Sequence, residues 1–280
     1  MGASPAALVT GCSSGIGRAT ALALVQAGLP TWATARRPEM LADLAAAGCR
    51  VLQLDVTDEA SRVRAVEAVE AEHGAVGALV NSAGYAQVGP IEEILPESLH
   101  GQFDTNVFGL VRMCQLVLPA MRGRRSGTIV NIGSAAGLLT PPASGAYSMT
   151  KYALEALCDA MRLELRGFGV RVVLVEPGAV RTQFMTTSWS TLPHTDTPSP
   201  YDAFTRNVDA MAQRAHRPGA RGVLAAEDVA RVVVKAVTAR RPRTRYKIGS
   251  QARIAPLVRR AVPDRLWDAM MLRVAPFPAE

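Results

Sequence analysis

The chain has 280 residues, 49% of them hydrophobic and 20% charged, and its formal net charge is +7. This balance is ordinary for a globular protein and excludes intrinsic disorder for most of the chain. No uninterrupted apolar run approaches the roughly 18 residues of a membrane span, and no signal-peptide pattern is present, so we expect a soluble, cytoplasmic protein. The four cysteines form no Cys-x-x-Cys pattern, which predicts reduced thiols and no metal site.

Short apolar runs alternate with longer helical patterns along most of the chain, which is typical of βα units that build a parallel sheet. Strands are predicted at residues 7–10, 30–35, 50–55, 78–81, 127–133, 170–176 and 245–248. Helices are predicted at residues 16–27, 38–47, 58–73, 96–122, 146–167 and 227–239. The simplest interpretation is a single α/β domain that spans residues 1–280.

The turn between the first strand and the first helix is rich in glycine and serine. Glycines allow a tight turn and let backbone N–H groups approach a pyrophosphate at the positive end of a helix. Many glycine-rich turns only join a strand to a helix, but the flanking elements here favour a dinucleotide site. The predicted cofactor contacts in this turn are Gly11, Ser13, Ser14, Gly15, Ile16 and Gly17.

A tyrosine and a lysine lie four residues apart in the fifth predicted helix. Tyr147 and Lys151 therefore share one helix face, where an ammonium group near the phenol is expected to lower the pKa of the tyrosine. Ser134, at the end of the fifth strand, can donate a second hydrogen bond to a substrate oxygen. The same pattern also fits a surface tyrosine and lysine beside an unrelated serine, and by themselves these residues leave both interpretations open.

Taken in order, the motifs of this chain resemble those of the classical short-chain dehydrogenase/reductase family. The matching segments are Thr10-Gly11-x-x-x-Gly15-Ile16-Gly17, Asp55-Val56, Asn81-Ser82-Ala83-Gly84, Asn106, Ser134, Tyr147-x-x-x-Lys151 and Pro177-Gly178. The resemblance implies a Rossmann-type, doubly wound parallel sheet and a catalytic tetrad of Asn106, Ser134, Tyr147 and Lys151. Ser82 departs from the usual Asn-Asn-Ala-Gly and puts one side-chain contact in doubt, but not the turn.

The resemblance also implies a role for each matching residue. Tyr147 is the general acid or base, Ser134 polarises the substrate oxygen, Lys151 holds the nicotinamide ribose, and Asn106 supports a water that links Lys151 to solvent. The remaining implied cofactor contacts are Asp55 and Val56 at the adenine, Asn81 and Ala83 after the fourth strand, and Pro177, Gly178, Val180 and Thr182 near the nicotinamide carboxamide. Asp55 can also cap a helix or turn, and the two roles are compatible.

The end of the second strand indicates which dinucleotide is bound. An enzyme that uses NAD places Asp or Glu there to bind the ribose 2′-hydroxyl, whereas a 2′-phosphate requires a cation. Ala35 occupies the acidic position here, and Arg36 and Arg37 follow it. We therefore predict NADP(H), with Arg36 as the main phosphate partner and Arg37 as a solvated charge that leads into the next helix.

The regular pattern breaks between residues 181 and 222, where several prolines occur. We expect a long loop there that forms a substrate lid. Its large apolar side chains can either line a hydrophobic substrate site or form a small core of their own; they are Met185, Trp189, Tyr201 and Phe204. Resemblance to the subgroup of 17-beta hydroxysteroid and retinol dehydrogenases implies a hydrophobic secondary alcohol or ketone, and a polyketide-type or aromatic ketone is an equally open alternative.

The excess positive charge lies at the C-terminal end. Residues 240–280 contain ten Lys or Arg and three acidic residues, a difference equal to the net charge of the whole chain. We favour an extension over residues 250–280 that packs on its own domain or on a second subunit over one that contacts a membrane surface. No pattern of a nucleic-acid-binding fold accompanies the charge, so we expect no nucleic-acid partner.

Two further expectations concern partners and activity. The resemblance implies a homodimer or homotetramer built on the helices near residues 96–122 and 146–167, in addition to a small hydrophobic substrate. A protein that senses NADP(H) without turnover would keep the glycine turn and Arg36 but lose Tyr147 or Lys151. Since both of these residues are present, we favour the enzyme and keep the sensor as the alternative.

Overall fold

The computed structural model describes residues 6–192, 198–215 and 222–274. Parts of the predicted lid, at residues 193–197 and 216–221, lie outside the described residues, as do residues 275–280 of the predicted extension. Among the described residues, no helix combines the length and the apolar composition needed to cross a bilayer.

Seven parallel strands form the central sheet, in the order β3-β2-β1-β4-β5-β6-β9. From β1 the chain adds β2 and β3 on one side. It then returns to add β4 and the later strands on the other side of β1, which is the arrangement of a doubly wound Rossmann-type sheet. The predicted fold class is therefore confirmed. The strands are β1 (Ala6–Val9), β2 (Thr31–Ala35), β3 (Arg50–Gln53), β4 (Val76–Asn81), β5 (Gly127–Ile132), β6 (Val170–Pro177) and β9 (Arg245–Ile248), and a separate two-stranded sheet contains β7 (Val180–Arg181) and β8 (Leu224–Ala225).

Helices cover both faces of the central sheet. They are α1 (Gly15–Gln26), α2 (Ala42–Ala46), α3 (Glu59–His73), α4 (Pro96–Phe103), α5 (Gly109–Gly123), α6 (Gly145–Glu164), α7 (Phe184–Trp189), α8 (Asp202–Ala215), α9 (Ala226–Thr238), α10 (Ser250–Arg253), α11 (Ala255–Ala261) and α12 (Asp264–Val274). Alternate residues of a strand point to opposite faces, so Leu8 packs in one core cluster with residues of α3, α5 and α6, whereas Val9 packs in the other with residues of α1 and α9. Strands buried on both faces explain the continuous apolar runs of the sequence.

The predicted lid contains more regular structure than its prolines indicate. Helices α7 and α8 lie within it, and Val208 and Ala212 of α8, four residues apart, are buried. Pro198 and Pro200 precede α8, where proline does not interrupt helical hydrogen bonds. The expectation of a long irregular loop was therefore wrong for the described residues of this segment.

The C-terminal extension folds into the three short helices α10, α11 and α12. Pro256 lies in the first turn of α11 and Pro263 immediately precedes α12, positions where proline suits a helix. Trp267 is buried, and the guanidinium carbon of Arg259 lies 5.6 Å from the centre of its ring. This agrees with the packing interpretation, although Leu257, with 62% of its surface accessible, remains exposed.

Candidate active site

The glycine turn after β1 has a backbone that only glycine tolerates. Gly11 and Gly15 adopt φ angles of +73° and +58°, in the left-handed region. A Cβ atom at Gly17 would lie 2.3 Å from the carbonyl oxygen of Gly11, and one at Gly11 would lie 2.6 Å from the Cα of Ala83. These contacts keep the turn tight and pack its backbone closely against the turn after β4.

The start of α1 has the properties of an anion site. Ser14 precedes the helix in an extended conformation, and its side chain makes no capping hydrogen bond to the described residues. The first turn of the helix also contains no acidic residue. Unpaired N–H groups at the positive end of a helix suit a phosphate. The turn therefore fits the pyrophosphate of a dinucleotide.

Thr10 is a structural residue of this site that our predicted contacts did not include. Its Oγ1 accepts hydrogen bonds from the backbone N–H groups of Ser82 and Ala83, both at 3.0 Å. The turns after β1 and β4 are thus held together by one buried hydroxyl. Thr10 lies at the end of β1, beside the turn that follows the neighbouring strand β4. This position is the sequence signal that would have identified it.

The side chain of Asn81 forms hydrogen bonds within the core and therefore does not serve the cofactor. Its amide nitrogen donates to Asn131 Oδ1 at 2.9 Å and to Cys114 Sγ at 3.4 Å, inside the core between β4 and β5. The buried pair joins neighbouring strands. The backbone of Asn81 is then the group left for the predicted cofactor contact, together with the turn that contains Ala83.

Arg36 and Arg37 follow β2 and are exposed. The neighbouring Asp55 accepts hydrogen bonds at Oδ1 from the backbone N–H and the hydroxyl of Thr57, at 2.9 and 2.7 Å, so its expected role as a turn cap is confirmed. Burial raises the pKa of Asp55, but the Thr57 hydrogen bonds and the positive charge of Arg36 outweigh it, and the pKa is lowered. Arg36 is therefore close enough to the predicted adenine-ribose region to act there electrostatically.

Helix α6 brings Tyr147 and Lys151 together as the spacing predicts. The Nζ of Lys151 lies 5.5 Å from the centre of the Tyr147 ring and donates to the carbonyl oxygen of Ile132 at 2.8 Å. Lys151 is only 8% exposed. Its ammonium group is thus held between the end of β5 and the tyrosine.

Burial is the main cause of the pKa shifts of Tyr147 and Lys151. It raises the pKa of Tyr147 to about 12, against a smaller lowering by the hydrogen bond to Ser134, and it lowers the pKa of Lys151 to about 8. The shift is opposite to the predicted lowering, because desolvation of the phenolate is the largest cause and Lys151 is not among the groups that shift this pKa. At neutral pH the phenol is protonated, which is the form that can donate a proton.

Ser134 and Asn106 support this pair from two sides. The Ser134 hydroxyl lowers the pKa of Tyr147 against the larger effect of burial, and its Oγ accepts from the N–H of Ala136 at 3.1 Å. Asn106 is buried, and its side chain bonds both backbone groups of Tyr85, at 2.9 and 3.1 Å, and donates to Thr150 Oγ1 at 3.2 Å. Its side chain therefore joins the turn after β4 to α6.

The local backbone at Asn106 also differs from the prediction of one helix over residues 96–122. A π-helical turn, Asp104–Phe108, separates α4 from α5. Such turns often occur at functional sites because the extra residue changes the direction of side chains and carbonyl groups. The sequence periodicity did not indicate this insertion.

The segment after β6 closes the site opposite the glycine turn. The backbone N–H of Gly178 donates to Ile248 at 2.9 Å and that of Ala179 donates to Gln251 Oε1 at 2.8 Å. The side chain of Thr182 lies 3.0 Å from the position of a Cβ on Gly15. Thr182 thus lies beside the start of α1, where the nicotinamide end of a dinucleotide is predicted, and the contacts to Ile248 and Gln251 hold the preceding Gly178 and Ala179.

An apolar region adjoins Tyr147. The ring of Phe184, in α7, lies 5.6 Å from the ring of Tyr147, centre to centre. A cavity of about 630 Å³ lies nearby, and Tyr201 and Phe204 of the predicted lid line it, whereas Met185 and Trp189 do not. Two of the four large apolar side chains of the lid therefore line a cavity, and the other two are partly buried elsewhere.

Comparison with known proteins places this site in a family. A model of the family described as short chain dehydrogenase matches residues 5–193. Oxidoreductase YbbO of Escherichia coli (strain K12) is 33% identical over 269 residues, covering 94% of this chain and 93% of the relative. NADPH-dependent 3-dehydrocapnine reductase of Ornithobacterium rhinotracheale is 32% identical over 277 residues, covering 95% and 96%. Retinol dehydrogenase 5 of Homo sapiens is 33% identical over 291 residues, covering 97% and 89%.

Solved structures give the same result. A short-chain dehydrogenase from Streptomyces avermitilis superposes with a TM-score of 0.78 at 34% identity, covering 95% of this chain and 94% of that one. A short-chain dehydrogenase/reductase from Burkholderia phymatum, in complex with NAD, has a TM-score of 0.79 at 26% identity and covers 100% and 99%. The resemblance seen in the sequence is confirmed.

Proposed function

Since the chain belongs to the short-chain dehydrogenase/reductase family of oxidoreductases, we propose that it interconverts a hydrophobic secondary alcohol and its ketone with NADP(H). An aldehyde and its primary alcohol would be handled by the same chemistry. The observation that carries the proposal is the convergence of Tyr147, Ser134 and Lys151, with the Phe184 ring against the tyrosine and the phenol protonated at neutral pH. Asn106 completes the proposed tetrad.

In the reductive direction the bound nicotinamide supplies hydride to the carbonyl carbon. Tyr147 donates its proton to the carbonyl oxygen, and Ser134 donates a hydrogen bond to the same oxygen as negative charge develops. Lys151 holds the ribose hydroxyls and places a positive charge near the phenolate that the proton transfer leaves. The Asn106 side chain holds the turn after β4 against helix α6.

The preference for NADP(H) rests on the residues that follow β2. Arg36 offers its guanidinium group to a 2′-phosphate, with Arg37 as a solvated charge beside it, and no carboxylate occupies position 35. The name of one relative specifies NADPH, while one structural neighbour was solved with NAD. The proposed contacts of Gly11, Ser13, Ser14, Ile16, Asp55 and Val56 serve either dinucleotide, so Arg36 is the deciding residue.

The decisive experiment measures NADPH and NADH oxidation with steroid ketones, retinal, aromatic ketones and small aldehydes. We expect turnover with NADPH that Tyr147→Phe reduces about 10²- to 10⁴-fold, because the general acid is lost. Tyr152→Phe, an exposed tyrosine of the same helix, is the matched control and should keep full activity.

Binding of NADPH, measured by its fluorescence, separates the outcomes of this experiment. Near-normal turnover by Tyr147→Phe would refute the proposed role of the tyrosine. Tight NADPH binding without turnover of any substrate in the panel would favour the non-catalytic sensor. The panel also decides between a steroid-like or retinoid substrate and a polyketide-type or aromatic ketone.

We propose a homodimer or homotetramer as the assembly. Large apolar side chains are exposed on α6 and at the start of α5; they are Phe108, Met149, Tyr152 and Leu163, between 41% and 66% exposed. Contiguous exposed apolar side chains on neighbouring helices suit a symmetric interface between copies of one chain.

A further inference from the structure

A fully buried carboxyl group, that of Glu176, lies at the end of β6, one residue before Pro177. Val172 and Leu174 of the same strand pack in the core cluster that contains residues of α6, and alternate residues of a strand share a face, so Glu176 also faces α6. No donor among the described residues reaches either of its carboxylate oxygens. A carboxyl group in this position is costly to ionise, and once protonated it needs an acceptor for its proton.

Glu155, on α6 one turn after Lys151, offers such an acceptor. Its Oε2 accepts a hydrogen bond from Arg245 of β9 at 2.9 Å, whereas its Oε1 is buried and has no partner among the described residues. Burial and then the neighbouring Glu155 raise the pKa of Glu176 to about 7, so the two carboxyl groups lie close together. A single proton on Glu176, donated to Glu155 Oε1, would give a partner to both buried groups.

The turn that follows Ser134 meets the same carboxyl group. Gly137 ends this turn, and a Cβ atom there would lie 3.3 Å from Oε1 of Glu155 and 2.8 Å from the carbonyl oxygen of Lys151. The lack of a side chain at Gly137 therefore lets α6 lie close against the turn. Three segments thus meet at Glu155: the turn after Ser134, helix α6 with the catalytic tyrosine and lysine, and the end of β6.

The charges around Glu176 come from α6 and β9, since neither β5 nor the turn after Ser134 contains a titratable side chain. Arg245 and Lys247 of β9 favour the ionised form of Glu176, but burial and Glu155 outweigh them. The titratable or charged side chains on this side of the two elements are Lys151, Glu155, Cys158 and Asp159 of α6 and Arg245 and Lys247 of β9. Above about pH 7, ionisation of Glu176 places a second negative charge beside Glu155.

We propose that Glu176 is a positioning residue of the active site, whose protonated carboxyl group donates to Glu155 Oε1 and holds the end of β6 against α6. This contact fixes the segment that begins at Pro177, where the nicotinamide is predicted to bind, relative to Tyr147 and Lys151. The inference rests on the proposed function, because it concerns the distance over which hydride is transferred. Ionisation of Glu176 replaces the hydrogen bond by repulsion between two carboxylates and moves the two segments apart, and small displacements of reacting groups are costly.

The test is the pH dependence of NADPH turnover with the ketone of the panel that the wild-type protein reduces fastest. Glu176→Gln keeps a hydrogen-bond donor but cannot ionise, so kcat of the wild-type protein should fall about fourfold relative to this variant between about pH 6 and about pH 7.5. The titration of Tyr147 and Lys151 is common to both proteins and cancels in this ratio. Glu164→Gln, an exposed glutamate of the same helix, is the control and should keep the wild-type profile.

Glu176→Ala removes the hydrogen bond at every pH. It should lower kcat about tenfold at about pH 6 and change KM for NADPH less than about twofold, because the adenine end of the cofactor binds elsewhere. Full activity of Glu176→Ala would overturn the proposal. So would a pH profile of Glu176→Gln that parallels that of the wild-type protein.

Infrared spectroscopy of the protein without substrate separates this inference from the proposed function. A carbonyl stretch of a protonated carboxyl group that the wild-type protein shows at about pH 6 and Glu176→Gln lacks supports the hydrogen bond even if no ketone is reduced. Absence of this band overturns the proposal even if ketones are reduced. Without turnover, the emission of bound NADPH, which comes from the nicotinamide ring, tests the positioning: it should change between about pH 6 and about pH 7.5 in the wild-type protein alone, and an equal change in Glu176→Gln overturns it.

Discussion

Tyr147 and Lys151 show how burial and charge compete at single residues. Their spacing places them on one helix face, but the lysine is buried and donates to Ile132 and the tyrosine is partly buried, so desolvation raises the pKa of the phenol to about 12 and lowers that of the ammonium to about 8. A neighbouring cation lowers a phenol pKa only when its attraction exceeds the desolvation cost. The arrangement favours proton donation, the role required for reduction.

Cofactor preference is testable at a single residue. Arg36→Ala should lower kcat/KM with NADPH about 10- to 100-fold, because a charge-assisted hydrogen bond to the phosphate is lost. It should leave kcat/KM with NADH almost unchanged. Initial rates with each cofactor provide the measurement, and Arg37→Ala, expected to have a smaller effect, is the control. An equal loss with both cofactors would show that Arg36 does not recognise the 2′-phosphate.

At the scale of elements, contacts between strands and helices position the site. Arg245 in β9 donates to Glu155 at 2.9 Å and to Asp159 at 2.7 Å, which ties the edge of the sheet to α6. Glu176 in β6 is fully buried on this side, and neither carboxylate oxygen has a hydrogen-bond partner among the described residues. Burial and the nearby Glu155 raise the pKa of Glu176 to about 7, with Lys247 and Arg245 opposing this shift.

The raised pKa of Glu176 makes stability depend on pH. Because the folded state holds this proton up to about pH 7 while an unfolded glutamate loses it near its ordinary pKa of 4.5, the free energy of unfolding should fall as pH rises between these values. Glu176→Gln removes this titrating group. The free energy of unfolding of the variant minus that of the wild-type protein should therefore increase by on the order of 1–3 kcal/mol from pH 5 to about pH 8. Urea unfolding at both pH values measures this, with the exposed Glu164→Gln as control. A pH-independent difference would contradict the assignment.

At the scale of the whole molecule, the positive charge of the C-terminal region is used in several ways. Arg245 pairs with α6, and Arg259 pairs with Asp264 at 2.6 Å and covers Trp267. The extension therefore packs as part of the fold and reaches the cavity next to the catalytic residues. Net charge alone indicates none of these contacts.

The proposed assembly is also a property of the whole molecule. Leu163→Glu should reduce the mass measured by size-exclusion chromatography with light scattering, because a carboxylate at the proposed interface would be buried without a partner. Leu257→Glu, a similarly exposed leucine of α11, should leave the mass unchanged. A monomeric wild-type protein, or an unchanged assembly of Leu163→Glu, would contradict the proposed interface.

The sequence by itself predicted the alternation of strands and helices along most of the chain, because it follows from local periodicity. The ordered glycine turn, Tyr-x-x-x-Lys pair and other motifs carried the resemblance to the family, and that resemblance implied the doubly wound sheet. Tertiary structure alone decided the engagement of Asn81 with Asn131, the π-helical turn at Asn106, the helices of the lid and the pKa values of Tyr147 and Lys151. These depend on burial and on contacts between residues distant in the chain. The contribution of α12 to the cavity is of the same kind, since most of the other lining residues lie more than a hundred residues away.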